Sequence, residues 1–150
     1  PSGEFGLCCR DEVNRITPGG NYGWPYVAGE DVVDAAQAGA RALLPPLASS
    51  GADTWAPAGL AFYHGGPLAA WQGDLFFGAL RGQQLRRFTL AGAEHDRALA
   101  QEALYLGEFG RIREVIMGPD GYLYLTTSNR DGRGQPAAED DRILRIGAGG

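Results

Sequence analysis

Arg111-Ile112-Arg113 places two guanidinium groups two residues apart. In an extended strand, residues i and i+2 project from the same face, so both cations would point one way. A third cation, Arg81, follows the apolar run Leu75 to Leu80. If the two segments are neighbouring strand ends, all three arginines meet at one rim, an arrangement that is costly without an anion. Such a cluster suits a ligand with several carboxylates or phosphates. The competing reading pairs the arginines with Glu108, Glu114 and Asp120 on a solvated surface, where ion pairs are common and weak.

Other candidates offer less. Glu139-Asp140-Asp141 clusters oxygens that a hard cation could use, but it lacks the alternating spacing and central glycine of an EF-hand loop. A solvated loop before the last strand is the expected reading. His64 lies in the turn Tyr63 to Pro67 and His95 in a polar run; neither has a Ser, Cys or Asp in a recognisable catalytic order. Both are expected at the surface. Trp24, Trp55 and Trp71 are expected to be packing residues. Cys8 and Cys9 are the only cysteines and are adjacent, whereas zinc sites and redox dithiols need a spacer. They read as unremarkable thiols or a vicinal disulfide. No Walker or Rossmann glycine loop and no nucleophile motif is present, so no residue of this chain is assigned a catalytic role.

The elements that must position the arginines are short strands. Asp11 to Ile16 reads as a strand closed by the turn Thr17-Pro18-Gly19-Gly20, and Asn21 to Pro25 is too rich in Gly and Pro for regular structure. The Ala-rich stretch from about Val32 to Leu44 could hold a short helix, ended by Pro45-Pro46. Ala48 to Asp53 reads as an exposed loop. A repeat then appears. Its first unit runs Ala58 to Tyr63, Asp74 to Leu80 and Gln84 to Leu90, with Leu99 to Leu106 as a fourth, outer strand. The second runs Arg113 to Met117, the turn Gly118-Pro119-Asp120-Gly121, then Tyr122 to Thr127 and Arg142 to Ile146. The spacing of roughly 50 residues is that of a propeller blade.

The expected class is therefore all-β, a β-propeller fragment of two to three blades. The second unit reaches Gly150 without an outer strand, so a ring would close with sequence not present here. A β-sandwich made of the same strands is the alternative.

Composition narrows the partners. In 150 residues, 44% are hydrophobic and 21% charged, and the 24 Gly and 9 Pro fall between apolar runs, as turns do between strands. A formal charge of -5 argues against nucleic acid. No apolar run approaches the ~20 residues of a membrane span. Pro1 to Arg10 shows no basic region followed by the apolar stretch of a signal peptide.

Taken in order, several of these segments resemble the soluble glucose/sorbosone dehydrogenases. Asp11-Glu12-Val13-Asn14-Arg15-Ile16, Pro18-Gly19 and Asn21-Tyr22-Gly23-Trp24-Pro25 look like a signature of that family. Ala56 to Tyr63, Leu75 to Arg81, and Arg111 to Val115 through Gly118 to Tyr124 follow in the family's order. The resemblance covers most of the chain except about Ala28 to Thr54. It implies the C-terminal part of a propeller of about six blades. Such a propeller holds pyrroloquinoline quinone and Ca2+ and oxidises the C1 hydroxyl of aldose sugars, passing electrons to an acceptor. Arg111 and Arg113 match the family's paired cofactor-binding arginines. Arg81 falls where members carry a Lys or Arg beside the quinone, and its charge would stabilise the reduced, anionic form. The quinone's three carboxylates are the anion that the arginine cluster requires. The family's histidine base and calcium-binding segment match nothing in this chain, which alone is expected to be inactive. Resemblance also implies a periplasmic or secreted location. A cofactor-free propeller that binds proteins is the alternative function.

Overall fold

The computed structural model describes residues 2–4, 9–32, 34, 42–92 and 94–147. They belong to two compact units, residues 1–57 and 58–150.

In the first unit the strands are β1 (Ser2–Glu4), β2 (Glu12–Asn14), β3 (Val27–Ala28), β4 (Asp31–Val32) and β5 (Ala48–Ser49). β2 sits between β1 and β5 in an antiparallel sheet, and β3 pairs with β4 as a hairpin. The turn after β2 forms as its glycines predict. Gly19 takes φ 73°, and Gly20 N–H donates to the Thr17 carbonyl at 3.0 Å. The Tyr22 hydroxyl closes the same turn, donating to the Arg15 carbonyl at 2.8 Å and accepting from Thr17 N–H at 2.7 Å.

Asp11 ties this unit to its own last residues. Its Oδ2 accepts from the Thr54 hydroxyl at 2.9 Å, Trp55 N–H at 2.7 Å and Ala56 N–H at 2.9 Å. The helix expected from about Val32 to Leu44 falls mostly outside the described residues; Val32 ends β4, and residues 42–46 have no regular structure. The loop expected over Ala48 to Asp53 instead opens with β5, because Glu12 and Val13 of β2 find their ladder partners in Ser49 and Ala48.

The second unit holds the repeat. β6 (Pro57–Phe62), β7 (Leu75–Ala79), β8 (Gln84–Ala91) and β9 (Arg97–Leu104) form one sheet in that order. β10 (Ile112–Met117), β11 (Leu123–Thr127) and β12 (Ile143–Ile146) form a second antiparallel sheet. Every residue of β7 is buried, as expected for a central strand covered on both faces. Alternation in β11 sends Leu123 and Leu125 into the core and leaves Tyr124 and Thr126 half-buried.

One core unites the two sheets. Tyr63, the residue after β6, and Phe76 and Leu85 of the first pack with Ile112, Val115, Leu123, Leu125 and Ile146 of the second. The backbones approach closely where side chains are absent. A Cβ on Gly78 of β7 would lie 2.7 Å from Ile112 Cγ2, and one on Gly59 of β6 would lie 2.6 Å from Glu114 Cα. β9 is the outer strand expected for the first repeat, shifted two residues toward the N-terminus.

Candidate functional site

Arg111 stands one residue before β10, and Arg113 lies within it. The ladder with β11 slips here: Ile112 faces Thr127 while Glu114 faces Thr126, so Arg113 is the extra residue of a β-bulge. A bulge re-aims a side chain without ending the strand. Despite the slip, both guanidinium groups reach one atom, Oδ2 of Asp131. Arg111 donates to it from Nη2 at 2.9 Å and Nε at 3.2 Å, and Arg113 from Nη2 at 3.2 Å. Arg111 Nη1 also donates to the Leu80 carbonyl at 3.3 Å. The Arg111 side chain is 8% exposed and that of Arg113 50% exposed, so one cation is sunk in the wall and the other stands at the surface.

Asp131 sits in the turn between β11 and β12. Its Oδ1 accepts Arg133 N–H at 3.0 Å, and its Oδ2 also lies 3.3 Å from the donating Ser128 hydroxyl. The Arg111 guanidinium, then Arg133 N–H, hold its carboxyl at about 2, against the opposing effect of burial; the Ser128 hydroxyl adds to the depression. A single carboxylate thus serves two guanidinium groups, and the trio keeps one net positive charge.

Glu108, Glu114 and Asp120 are not the partners of these arginines among the described contacts. Glu114 accepts Val115 N–H at 3.1 Å, and Asp120 accepts the Tyr124 hydroxyl at 2.7 Å and faces Arg145 at 3.8 Å. Distance along the chain misleads here, because the loop after β11 folds back over the start of β10.

Arg81 lies in the turn joining β7 to β8 and is exposed, with no hydrogen bond or ion pair among the described residues. Its turn adjoins the pair through the Leu80 carbonyl, which Arg111 holds.

The acidic run before β12 is the loop expected, with Glu139 and Asp141 exposed, but Asp140 departs from it. The Asp140 side chain is 2% exposed; it accepts Ala137 N–H at 2.9 Å, Asn129 Nδ2 at 2.9 Å and Arg142 Nε at 3.2 Å. The Ala137 N–H is the main cause that pulls its carboxyl below the usual range; burial opposes this, and Asn129 and Arg142 reinforce it. No group of three or more His, Cys, Asp or Glu residues is arranged to hold a metal among the described residues.

A cavity of about 360 Å3 opens beside these groups, lined by Gln83, Glu108, Phe109, Asn129, Gln135 and Arg142 among others. Asp140 is in the same wall, and two carboxylates with one guanidinium make it a poor host for an anion.

Trp55 is buried, and Trp71 packs on Phe76 and Tyr63, as packing residues should. Trp24 does not follow them: it is 52% exposed, in the Gly- and Pro-rich segment before β3. His64 and His95 are exposed, as expected. Cys8 lies outside the described residues, and the Cys9 thiol takes a contact from Arg10 Nη1 at 3.6 Å. No described helix is long and apolar enough to cross a membrane.

Antiparallel sheets of four and three strands, packed on one core in the second unit, make the protein all-β and are built as propeller blades are. The family model for glucose/sorbosone dehydrogenase matches residues 2–144. The chain is 31% identical over 128 residues to an aldose sugar dehydrogenase of Escherichia coli K12, covering 81% of this chain and 33% of that protein. Among solved structures it is similar to an oxidoreductase of the glucose dehydrogenase kind from Thermus thermophilus. That match has 45% identity and a TM-score of 0.75 over 96% of this chain and 39% of that one. A PQQ-bound aldose sugar dehydrogenase from Streptomyces coelicolor matches at 38% identity and a TM-score of 0.76, over 95% and 38% of the two chains. The chain belongs to the glucose/sorbosone dehydrogenase family. It spans about a third of the length of the curated relatives, 32% and 33%.

Proposed function

We propose that this chain is the C-terminal, cofactor-clamping part of a quinoprotein that oxidises the C1 hydroxyl of aldose sugars and passes the electrons to an acceptor. The observation that supports this reading best is the sharing of Asp131 by Arg111 and Arg113. One carboxylate cannot neutralise two guanidinium groups, and Arg81, with no hydrogen bond or ion pair among the described residues, adds a further cation from the adjoining turn. A multiply charged anion completes such a site.

The residues fit pyrroloquinoline quinone in charge. Half-exposed Arg113 and exposed Arg81 would take its carboxylates, while buried Arg111 adds fixed positive potential. When bound, the quinone supplies two-electron oxidising power. This chain's residues bind it, orient it, and in Arg81 place a cation where negative charge would grow. The proton acceptor and Ca2+ ligands are assigned to sequence outside this chain, and a periplasmic or secreted location goes with the same reading. A second reading, a cofactor-free binding module, draws on the partial neutralisation that Asp131 already gives.

The test is titration of the full-length protein with pyrroloquinoline quinone and calcium, with dye-linked oxidation of a panel of aldoses. Arg111→Ala/Arg113→Ala is expected to weaken cofactor binding at least about a hundredfold, as loss of two charge-assisted partners should. A folded full-length protein that neither binds the quinone nor oxidises any sugar would overturn this reading and favour the binding module instead.

A further inference from the structure

The residues that follow β11, Ser128 to Asp131, hold Arg111 at its backbone carbonyl, backbone N–H and guanidinium. Ser128 N–H donates to the Arg111 carbonyl at 2.8 Å. Arg111 N–H donates to Oδ1 of Asn129 at 2.8 Å. Asp131 receives the guanidinium. Asp131 therefore fixes the head of the side chain, and Asn129 fixes the main chain from which it departs.

The Asn129 amide does this by imitating a peptide of a neighbouring strand. While Oδ1 takes Arg111 N–H, Nδ2 donates to the Phe109 carbonyl at 2.9 Å, so the amide pairs with the backbone on both sides of Gly110. Only a carboxamide offers an acceptor and a donor side by side in one plane; a carboxylate of the same size would keep one bond and a methyl group neither. The partners also fix which way the amide faces, since an N–H needs the oxygen and a carbonyl needs the nitrogen. The second Nδ2 proton goes to Oδ2 of Asp140 at 2.9 Å, which anchors the amide to the loop before β12. Asn129 is 3% exposed, a setting in which these bonds are strong and their loss leaves buried groups unpaired.

Two glycines leave room for the amide. Gly110 takes φ 69°, and a Cβ there would lie 2.3 Å from Asn129 Oδ1. A Cβ on Gly134 would lie 2.7 Å from Asn129 Cα and 3.0 Å from Arg111 Cδ. Both glycines thus bound the same arrangement, one from each side.

We infer that Asn129 is a positioning residue for the anion clamp: it acts through the main chain of Arg111 and touches no ligand itself. The inference rests on the cofactor reading of Arg111 proposed above. A purely structural asparagine would lower stability and weaken binding by the same factor whatever stands at position 111. A positioning residue loses its effect on binding once the arginine is gone.

The experiment is a double-mutant cycle in the full-length protein, with Asn129→Ala, Arg111→Ala and both together, read as the dissociation constant for pyrroloquinoline quinone in calcium buffer. Asn129→Ala is expected to weaken binding about tenfold or more alone, and by less than about twofold in the Arg111→Ala background. Equal losses in both backgrounds overturn the inference and leave Asn129 a structural residue. If Asn129→Ala does not fold, Asn129→Ser enters the same cycle, since it keeps a hydrogen-bonding group but lacks the paired acceptor and donor that meet Arg111 N–H and the Phe109 carbonyl; the same pattern is expected and the same equality overturns it. A wild-type protein that binds no quinone overturns the clamp reading and this inference together, whereas wild-type binding with equal losses overturns this inference alone.

Discussion

Oδ2 of Asp131 lies 2.9 Å from Nη2 of Arg111, and this contact is the main reason that the carboxyl titrates at about 2. The native value is below the ordinary aspartate value of about 3.9, so ionised Asp131 favours the folded state. That contribution is complete above about pH 4 and is lost as pH falls through about 2. Carbon NMR of the Asp131 carboxyl should show no midpoint above about pH 3. In Arg111→Ala the midpoint should rise toward the ordinary value. An ordinary midpoint in the wild type would mean that the pair does not persist in solution.

The close approach of β7 to β10 predicts a cost for any side chain at position 78. A Cβ there would lie 2.8 Å from the Ile112 carbonyl oxygen as well as against its side chain, and a backbone atom cannot step aside as a rotamer can. Gly78→Ala should lower stability by about 1–3 kcal/mol. In urea the midpoint should fall while the m-value stays constant. An unchanged midpoint would show that the sheets can separate slightly at no cost.

What could be read from the sequence follows from how local its causes are. Strands β6 to β12 each carry their own alternation or apolar run and their own turn, such as Gly118-Pro119-Asp120-Gly121, and so were legible without tertiary information. The arginine pair was legible as two cations two residues apart, but regular alternation is not what gathers them: Arg113 is the extra residue of a bulge, and Asp131 draws both guanidinium groups to one atom. The pair's partner was not legible. Asp131 lies in the polar run Asn129 to Gly134, which has no periodicity, and only the folded loop brings it to Arg111. Asp140 hides its setting in the same way: three charges in a row suggest solvent, yet its carboxylate is enclosed by Ala137 N–H, Asn129 and Arg142. The bulge at Arg113 is likewise a property of two strands together.

Asp11 makes a prediction for the first unit. Its carboxylate satisfies Trp55 N–H and Ala56 N–H, and Trp55 itself is buried. Asp11→Ala removes the acceptor and leaves both amides without it, so a loss of about 2–4 kcal/mol is expected. Asp11→Asn keeps one oxygen acceptor and should cost less. Denaturation followed by tryptophan fluorescence measures both. Equal, small losses would mean that water replaces the carboxylate without penalty.

Arg81 separates the roles of charge and structure. Being exposed and without a hydrogen bond or ion pair among the described residues, it can be replaced with little effect on the fold. Arg81→Ala should change stability by no more than about 0.5 kcal/mol, the usual range for such a surface position. Its effect on the proposed anion site should be larger, because the turn that carries it is held to Arg111 through the Leu80 carbonyl. Quinone affinity in the full-length protein should fall about tenfold in Arg81→Ala, and Arg81→Lys, which keeps the charge, should restore most of it. Equal affinity in all three proteins would show that Arg81 is a surface charge and that Arg111, Arg113 and Asp131 form the anion site without it.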